Sequence, residues 1–327
     1  METITLDDIE AVTVAALESH GAAPPVAASV ARAVRTAEAN GNRICGLYYL
    51  ESYCRQLETG RVLGNVDPAV HHDHPGAVRV DAKFGFAQWA FAAGFDTAVA
   101  AARANGTCAL SIEHSHTCTS LGYFTEQFAE VGFLAIGATN STARVAPPGG
   151  SERLLGTNPM AMAVPARGGG VAFQFDYSTS AVALGKITMA AAAGEPIPLG
   201  WAVDADGNPT TDAEAALEGS MLSAGGYKGY GLGLMVEVLA SALTGSLAST
   251  DIPPLKAPEG AHHDIGQFYL VIDPAAFGGG AFHDRVDALA AAVAAQPGAR
   301  LPGAGRDEPT SVELEPDVWA SAQALAG

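Results

Sequence analysis

Apolar and polar positions along this chain change period as it proceeds. Residues 5 to 60 read as helices, with Leu6, Asp7 and Asp8 as a cap, Val12, Val14, Ala15 and Leu17 at mixed helical spacing, and residues 21 to 25 as a stop. A second helix is predicted over about residues 26 to 40 and a third over about 47 to 59, with Gly41 and Gly60 as terminators. Residues 66 to 76 read as a loop, 78 to 81 as a short strand, and 84 to 105 as an alanine-rich helix stopped at Gly106. A strand at 107 to 112 leads to a helix at 121 to 131. Strands follow at 133 to 139, 160 to 165 and 171 to 176, with a turn at 146 to 150. Residues 200 to 212 form a polar turn. The helix that starts near Gly225 is apolar nearly all round, so it is expected to be buried. A loop at 253 to 263, a strand at 266 to 273 and a helix at 284 to 295 complete the pattern, which is that of an α/β protein.

Of 327 residues, 48% are hydrophobic and 16% charged, enough for a large core and a compact protein of two domains. With 35 acidic and 17 basic residues the net charge is -18, which opposes binding to nucleic acid or to an anionic membrane. The N-terminus is acidic and amphipathic, unlike a secretory signal, and no apolar run reaches membrane-spanning length, so a cytoplasmic protein is expected. Cys45, Cys54, Cys108 and Cys118 are scattered and read as free thiols of a reducing compartment. His71, His72, Asp73 and His74 have a metal-ligand composition, but one short Pro-flanked loop rarely wraps an ion. No metal is expected.

Residues 113 to 162 gather histidines, hydroxyls, a Pro-Pro-Gly-Gly turn and a Gly-Thr-Asn-Pro turn between apolar segments, the pattern of a binding site on loops. Gly225-Gly226-Tyr227-Lys228-Gly229 would offer backbone N–H groups and an ammonium to a phosphate; the alternative is a Gly-rich helix packed closely on a sheet. Residues 176 to 180, Asp-Tyr-Ser-Thr-Ser at a strand end, would bind ribose or phosphate, or else cap a helix.

Together the segments TNSTARVAPPGG, LGTNPMAMAVP, DYSTSAVALGKI, GWAVDADGNPTTD and GGYKGYGLGLMVEVL are more specific than any one of them. In this order, and with weaker matches at VDAKFGFAQ, GQFYLVIDP and LPGAGR, the chain resembles the malate/L-lactate dehydrogenase family from residue 41 to about 306. That family is unrelated to the Rossmann dehydrogenases and includes the piperideine-2-carboxylate and pyrroline-2-carboxylate ketimine reductases. The resemblance implies a non-Rossmann fold, with a helical domain from both chain ends (1–76 with about 265–327) and a larger mixed-sheet, cofactor-binding domain (77–264). It also implies a homodimer that uses NADH or NADPH on a small-molecule substrate. By the family pattern Thr117, Cys118, Thr119, Ser120, Leu121, Asp176, Ser178, Thr179, Ser180, Tyr227, Lys228, Gly303 and Arg306 would lie at the dinucleotide, and Thr157 at the substrate.

The departures narrow the chemistry. Where the family has Ser-His-Gly-Leu-x-Arg, with His as proton donor and Arg on the substrate carboxylate, this chain has Ile44-Cys45-Gly46-Leu47-Tyr48-Tyr49. The Ser-Asn/His-His-Phe-Gly motif reads Ser115-His116-Thr117-Cys118-Thr119, and Lys186 stands where the ketimine branch often has Asp. Cys45, His116 and Tyr49 become the candidate acid–base groups, and Arg43, Tyr48 and Thr157 the candidate substrate contacts. A ketone reduced by hydride becomes an alkoxide and needs an acid, whereas an iminium already carries its proton, so losing the His favours reduction of a carbon–nitrogen double bond. A 2-hydroxy-acid dehydrogenase with a relocated acid and a non-catalytic dinucleotide binder are the alternatives.

Overall fold

The computed structural model describes residues 1–278, 280–305 and 309–327. Its first half runs β1 (Glu2–Thr5), α1 (Leu6–Ser19), α2 (Pro24–Ala39), α3 (Leu50–Glu58), β2 (Ala69–His74), β3 (Ala77–Asp81), α4 (Ala87–Asn105), β4 (Thr107–Ser115), α5 (Gly122–Glu130), β5 (Leu134–Thr139) and β6 (Met160–Pro165). After β7 (Val171–Tyr177) come α6 (Leu184–Ala193), β8 (Ala202–Val203), β9 (Pro209–Thr210), α7 (Ala213–Glu218), β10 (Ser220–Met221) and α8 (Tyr227–Glu237). The chain ends with β11 (Ile265–Ile272), α9 (Ala281–Ala294), β12 (Ser311–Leu314) and α10 (Pro316–Ala326).

Seven strands form one sheet in the order β2-β3-β4-β11-β5-β6-β7. Only the β3–β4 pair is parallel, so the sheet is mixed, as expected for this α/β fold. Strand alternation in β4 buries Cys108, Leu110 and Ile112 against α4 and α5. Gly94 lets α4 approach closely, because a Cβ there would meet Val80 Cγ2 at 2.6 Å. Gly106 ends α4 in the left-handed region (φ 81), as its place in the sequence predicts. Phe91, Phe124, Phe128 and Tyr269 pack their rings at the centre of this core.

A second core joins α1, α2 and α3 to the far end of the chain through Leu314 and Ala322. β12 pairs with β1, and α10 lies on α1. A smaller third cluster links α6, α7 and β8 through Ile187, Ile197 and Ala202.

Four expectations are corrected. Residues 66–76 are not all loop, because Ala69–His74 forms the sheet's edge strand and pairs with β3 through Val70 and Val80. A largely exposed edge strand needs no apolar alternation, so its His-His-Asp-His sequence hides it. Ile265–Ile272, grouped above with the helical end of the chain, runs instead through the middle of the sheet. The α8 helix buries only Gly229, Gly233 and Val236, while Leu232, Leu234 and Met235 stay exposed; it continues as a π-helical turn, Val238–Ala242. β12 and α10, absent from the periodicity reading, are short elements fixed by packing on β1 and α1.

Candidate active site

Cys45 ends a 3₁₀ turn, Arg43–Cys45, and a second such turn, Leu47–Tyr49, feeds α3. The join is pinned from below: the buried Glu38 carboxylate accepts from the Leu47 amide at 2.7 Å, and any side chain at Gly46 would run into Glu38. Burial raises the Glu38 pKa against the pull of the Leu47 amide and the Arg43 charge.

Three further pieces face this turn. Asp176, at the end of β7, accepts from the Gly122 amide at 2.8 Å, and so holds the start of α5 and the 117–121 loop. Its side chain keeps an open face, yet the protein mass around it raises its pKa, against lowering hydrogen bonds from Gly122, Leu121 and Ser120. Tyr53 donates to Thr119 at 3.3 Å and packs its ring against Tyr49 at a tilt, with centroids 4.8 Å apart. Cys118 is fully enclosed, and burial, followed by the charges of Asp176 and Cys45, raises its thiol pKa.

The expected acid–base groups are all held neutral. Burial, reinforced by Asp176, pushes the Cys45 thiol up to about 12. Burial also raises the Tyr49 phenol. His116 is driven the other way: burial, then the neighbouring His263 and the Arg61 charge, lower it well below the ordinary imidazole range. None of the three is poised to give up a proton near neutral pH.

His116 stacks on His263 with ring centroids 4.0 Å apart, and hydrogen bonds fix both tautomers. Gln56 Nε2 donates to the Leu255 carbonyl at 3.0 Å, which turns its Oε1 toward His116 Nε2 at 2.8 Å, so His116 carries its proton on Nε2. The Thr117 amide donates to His263 Nδ1 at 3.2 Å, which leaves that proton on Nε2. His116 Nδ1 and His263 Nε2 are buried without protein partners. Burial and Arg61 bring His263 down to about 3.

The segment that delivers His263 is strapped down by Arg61, a guanidinium with 2% exposure. Arg61 donates to the carbonyls of Pro254 at 2.9 Å, Ala261 at 3.0 Å and Ala257. Tyr49 Oη adds a bond to the Leu255 carbonyl at 3.3 Å. Arg61, Gln56, Lys256 and His263 were all missed in the sequence. The only available signal was the pair of adjacent histidines closing a Pro-rich loop.

A second group continues from β7. Thr157 lies beside Ser141, with hydroxyls 3.3 Å apart, and its carbonyl accepts from the Thr179 amide at 2.9 Å. Ser180 bridges to Ser223, and the Ala224 amide donates to the Thr179 carbonyl, which sets the Gly225-Gly226 turn and exposed Tyr227 and Lys228 beside the Ser178–Ser180 hydroxyls. A recess of about 350 Å³ lined by Ala181, Leu222, Ser223, Gly225 and Gly226 opens here. Both glycines have positive φ and open space where a side chain would stand, a cradle that suits the phosphates of a dinucleotide at the start of α8. Gly303 packs on Gln174 of β7, whose Oε1 is buried without a partner. Arg306 lies outside the described residues.

Arg43 and Tyr48 are held elsewhere. Arg43 donates to the Glu313 carbonyl at 3.0 Å and Tyr48 to the Glu315 carboxylate at 2.8 Å, so their polar ends are taken up by the C-terminal segment. The histidine-rich strand β2 gathers no ligand set. Among the described residues the group with ligand spacing is Asp81, Glu113 and His114, and it is already knit together: His114 Nδ1 lies 3.0 Å from Asp81, and Arg79 pairs with Glu113.

The chain matches the family described as malate/L-lactate dehydrogenase over residues 4–318. It is 37% identical to the Delta(1)-pyrroline-2-carboxylate reductase of Pseudomonas fluorescens, over 97% of this chain and 94% of that one. It is 41% identical to the (2R)-3-sulfolactate dehydrogenase (NADP(+)) of Chromohalobacter salexigens, over 93% of this chain and 90% of that one. Among solved structures, delta1-piperideine-2-carboxylate reductase from Pseudomonas syringae superimposes with a TM-score of 0.92 and 34% identity, covering 99% of this chain and 100% of that one.

Proposed function

From the premise that the chain belongs to the malate/L-lactate dehydrogenase family and is an NAD(P)-dependent oxidoreductase, we propose that it reduces the C=N bond of a small ketimine bearing a carboxylate, to give a cyclic amino acid. The observation that carries this reading is the neutral cleft: the Cys45 thiol held up near 12, the Tyr49 phenol raised, and His116 neutral and bonded to Gln56. Such a cleft holds no acid–base group tuned near neutral pH to serve a nascent alkoxide, whereas a protonated imine brings its own proton. When bound, the reduced nicotinamide supplies the hydride.

The chain's residues hold and orient. Thr117, Cys118, Thr119, Ser120 and Leu121, with Asp176, form one wall of the dinucleotide site in this reading. Ser178, Thr179, Ser180, Tyr227, Lys228 and Gly303 form the other. Thr157 faces the substrate across from half-buried Cys45 and from Tyr49, whose burial helps keep water from the reacting carbon. Arg43 and Tyr48 stay with Glu313 and Glu315 and shape the rim.

A cytoplasmic homodimer belongs to the same reading. All four cysteines are free, as in a reducing compartment, and no helix among the described residues is long and apolar enough to cross a membrane. Leu232, Leu234, Met235, Val238 and Leu243 form an exposed apolar patch on α8 and its extension that a second copy would cover. Light scattering that reads a monomer at micromolar concentration ends the dimer part of the proposal.

The 41% identity to a sulfolactate dehydrogenase supports the second reading, a 2-hydroxy-acid dehydrogenase. NADH and NADPH oxidation with Δ1-pyrroline-2-carboxylate, Δ1-piperideine-2-carboxylate and a panel of 2-oxo acids separates the two. The expected result is a kcat/KM at least about tenfold higher for an imine, roughly 1.4 kcal/mol of transition-state preference. Faster turnover of a 2-oxo acid makes the second reading correct.

A further inference from the structure

A substrate carboxylate entering an apolar cleft must meet a cation, since an unpaired buried charge is costly. Cations are scarce in a chain with 17 basic residues and a net charge of -18. Of those near the cleft, Arg61 gives its N–H groups to three carbonyls, Arg43 donates to the Glu313 carbonyl at the rim, and Lys186 is exposed on α6 next to Gly185, which packs on Ile44. Lys228 stands by the Gly225-Gly226 turn, at the end assigned to the dinucleotide.

Lys256 is placed differently. Its ammonium lies 5.4 Å from the centroid of the Tyr49 ring, and its charge acts on the Cys45 thiol, lowering a pKa that burial has raised. It is exposed, and among the described residues no carboxylate pairs with it. The backbone around it is fixed on both sides. Pro253 accepts from Thr142 at 3.0 Å, Pro254 from Arg61, Leu255 from Tyr49 and Gln56, and Ala257 from Arg61. Thr142 follows Ser141, the partner of Thr157. The 253–257 strap therefore spans from the Thr157 turn to the Cys45 and Tyr49 turn, and Lys256 is its one charged side chain.

We propose that Lys256 is the anchor for the substrate carboxylate and a specificity-determining residue of this enzyme, set on the strap because position 49 carries a neutral phenol. The inference rests on the ketimine-carboxylate reading above. Tyr49 contributes a ring face against which the ammonium is held, and Tyr49 and Gln56 fix the carbonyl that precedes it. A lysine is a compact point charge on a flexible stem, without the two-pronged geometry of a guanidinium, so this anchor should accept carboxylates at more than one angle. Five- and six-membered ring substrates would both fit it.

The test compares Lys256→Gln, Lys256→Met and Lys256→Arg on Δ1-pyrroline-2-carboxylate and on 1-pyrroline, the same ring without its carboxylate. In Lys256→Gln and Lys256→Met, KM for the carboxylate substrate should rise at least tenfold with kcat moved less than threefold. The ratio of kcat/KM for the carboxylate over 1-pyrroline should fall at least tenfold, and Lys256→Arg should restore most of it. A parallel NADPH titration by fluorescence separates substrate anchoring from cofactor binding: a Kd that rises as much as KM overturns the assignment. An unchanged substrate ratio in both neutral variants also overturns it, while leaving the ketimine reading in place. If the wild type reduces no ketimine, that reading fails by itself. Calorimetry with pyrrole-2-carboxylate and the NADP⁺-loaded enzyme then decides for Lys256: binding at least tenfold weaker in Lys256→Gln supports the anchor, and equal binding, or none to the wild type, refutes it.

Discussion

Phe91 and Arg61 are both completely buried and both hold neighbouring elements together, but by opposite chemistry. Phe91 meets Phe124, Phe128 and Tyr269 edge to face behind the sheet, through ring contacts that use no hydrogen bond of its own. Arg61 works in a layer of polar groups between helices and sheet, where Gln56, His116, His263 and the strap carbonyls are each placed by a hydrogen bond. The first interior tolerates small shifts. The second fixes tautomers and loop positions, and it lies directly beneath the turn of Cys45 and the 117–121 loop. Rigidity is thus concentrated around the proposed site, where orientation would matter for the reaction.

The sharpest way to break the comparison is on the apolar side. Phe91→Ala should cost about 3 to 5 kcal/mol of stability through lost burial and a cavity. Its kcat per folded molecule should stay near wild type, as read by denaturant melts and by assays corrected for folded fraction. On the polar side, Arg61→Met removes three hydrogen bonds to a charged donor and should cost about 3 kcal/mol. Unlike Phe91→Ala, it should also depress kcat/KM, because the strap that holds His263 and Lys256 comes loose. Equal catalytic loss in the two variants would erase the distinction.

Acid probes the polar layer alone. His116 and His263 have folded pKa values below the unfolded value of about 6.5, so the unfolded chain binds more protons as pH drops. Their contribution is complete above pH about 6.5 and is lost as pH falls toward 3. The slope is at most about 1.4 kcal/mol per pH unit for each histidine. Urea midpoints at pH 7, 6 and 5 should show it, and His263→Asn should flatten it. A wild-type stability that does not change over this range would mean that the pair is not held neutral. The smallest effect belongs to the surface: Arg167 reaches Asp284 and Asp287 of α9 in full solvent, and Arg167→Ala should leave the melting temperature within the scatter of replicates.

The same contrast explains what the sequence makes legible. Leu110 and Ile112, or Ala161 and Ala163, alternate with outward neighbours, and the glycine after Asn105 stops its helix wherever the chain goes next, so strands and helix ends of the sheet core follow from local chemistry. The hydroxyl and glycine segments at 157, 178–180 and 225–228 are legible as separate pieces. That β7 and the Ser180–Ser223 bridge bring them together is not. Arg61, Gln56 and Lys256 carry no local mark, because each acts on carbonyls or rings about 200 residues away along the chain. α8 is expected to be buried because its apolar residues extend all round, and periodicity cannot tell a core helix from one that leaves apolar side chains exposed.

The position of β11 in the sheet bears on how the molecule is made. β4 and β5 flank a gap that only Ile265–Ile272 fills, with Ser115 paired to Ile265 and Thr139 to Gln267. During synthesis both flanking strands emerge well over a hundred residues before their shared partner, and until then each presents an unpaired hydrogen-bonding edge. Closing so long a loop comes late and costs entropy before it is rewarded, so the sheet should fold slowly and in one late cooperative step. On the ribosome, the nascent chain is most prone to aggregation in the interval between the appearance of β5 and the arrival of β11.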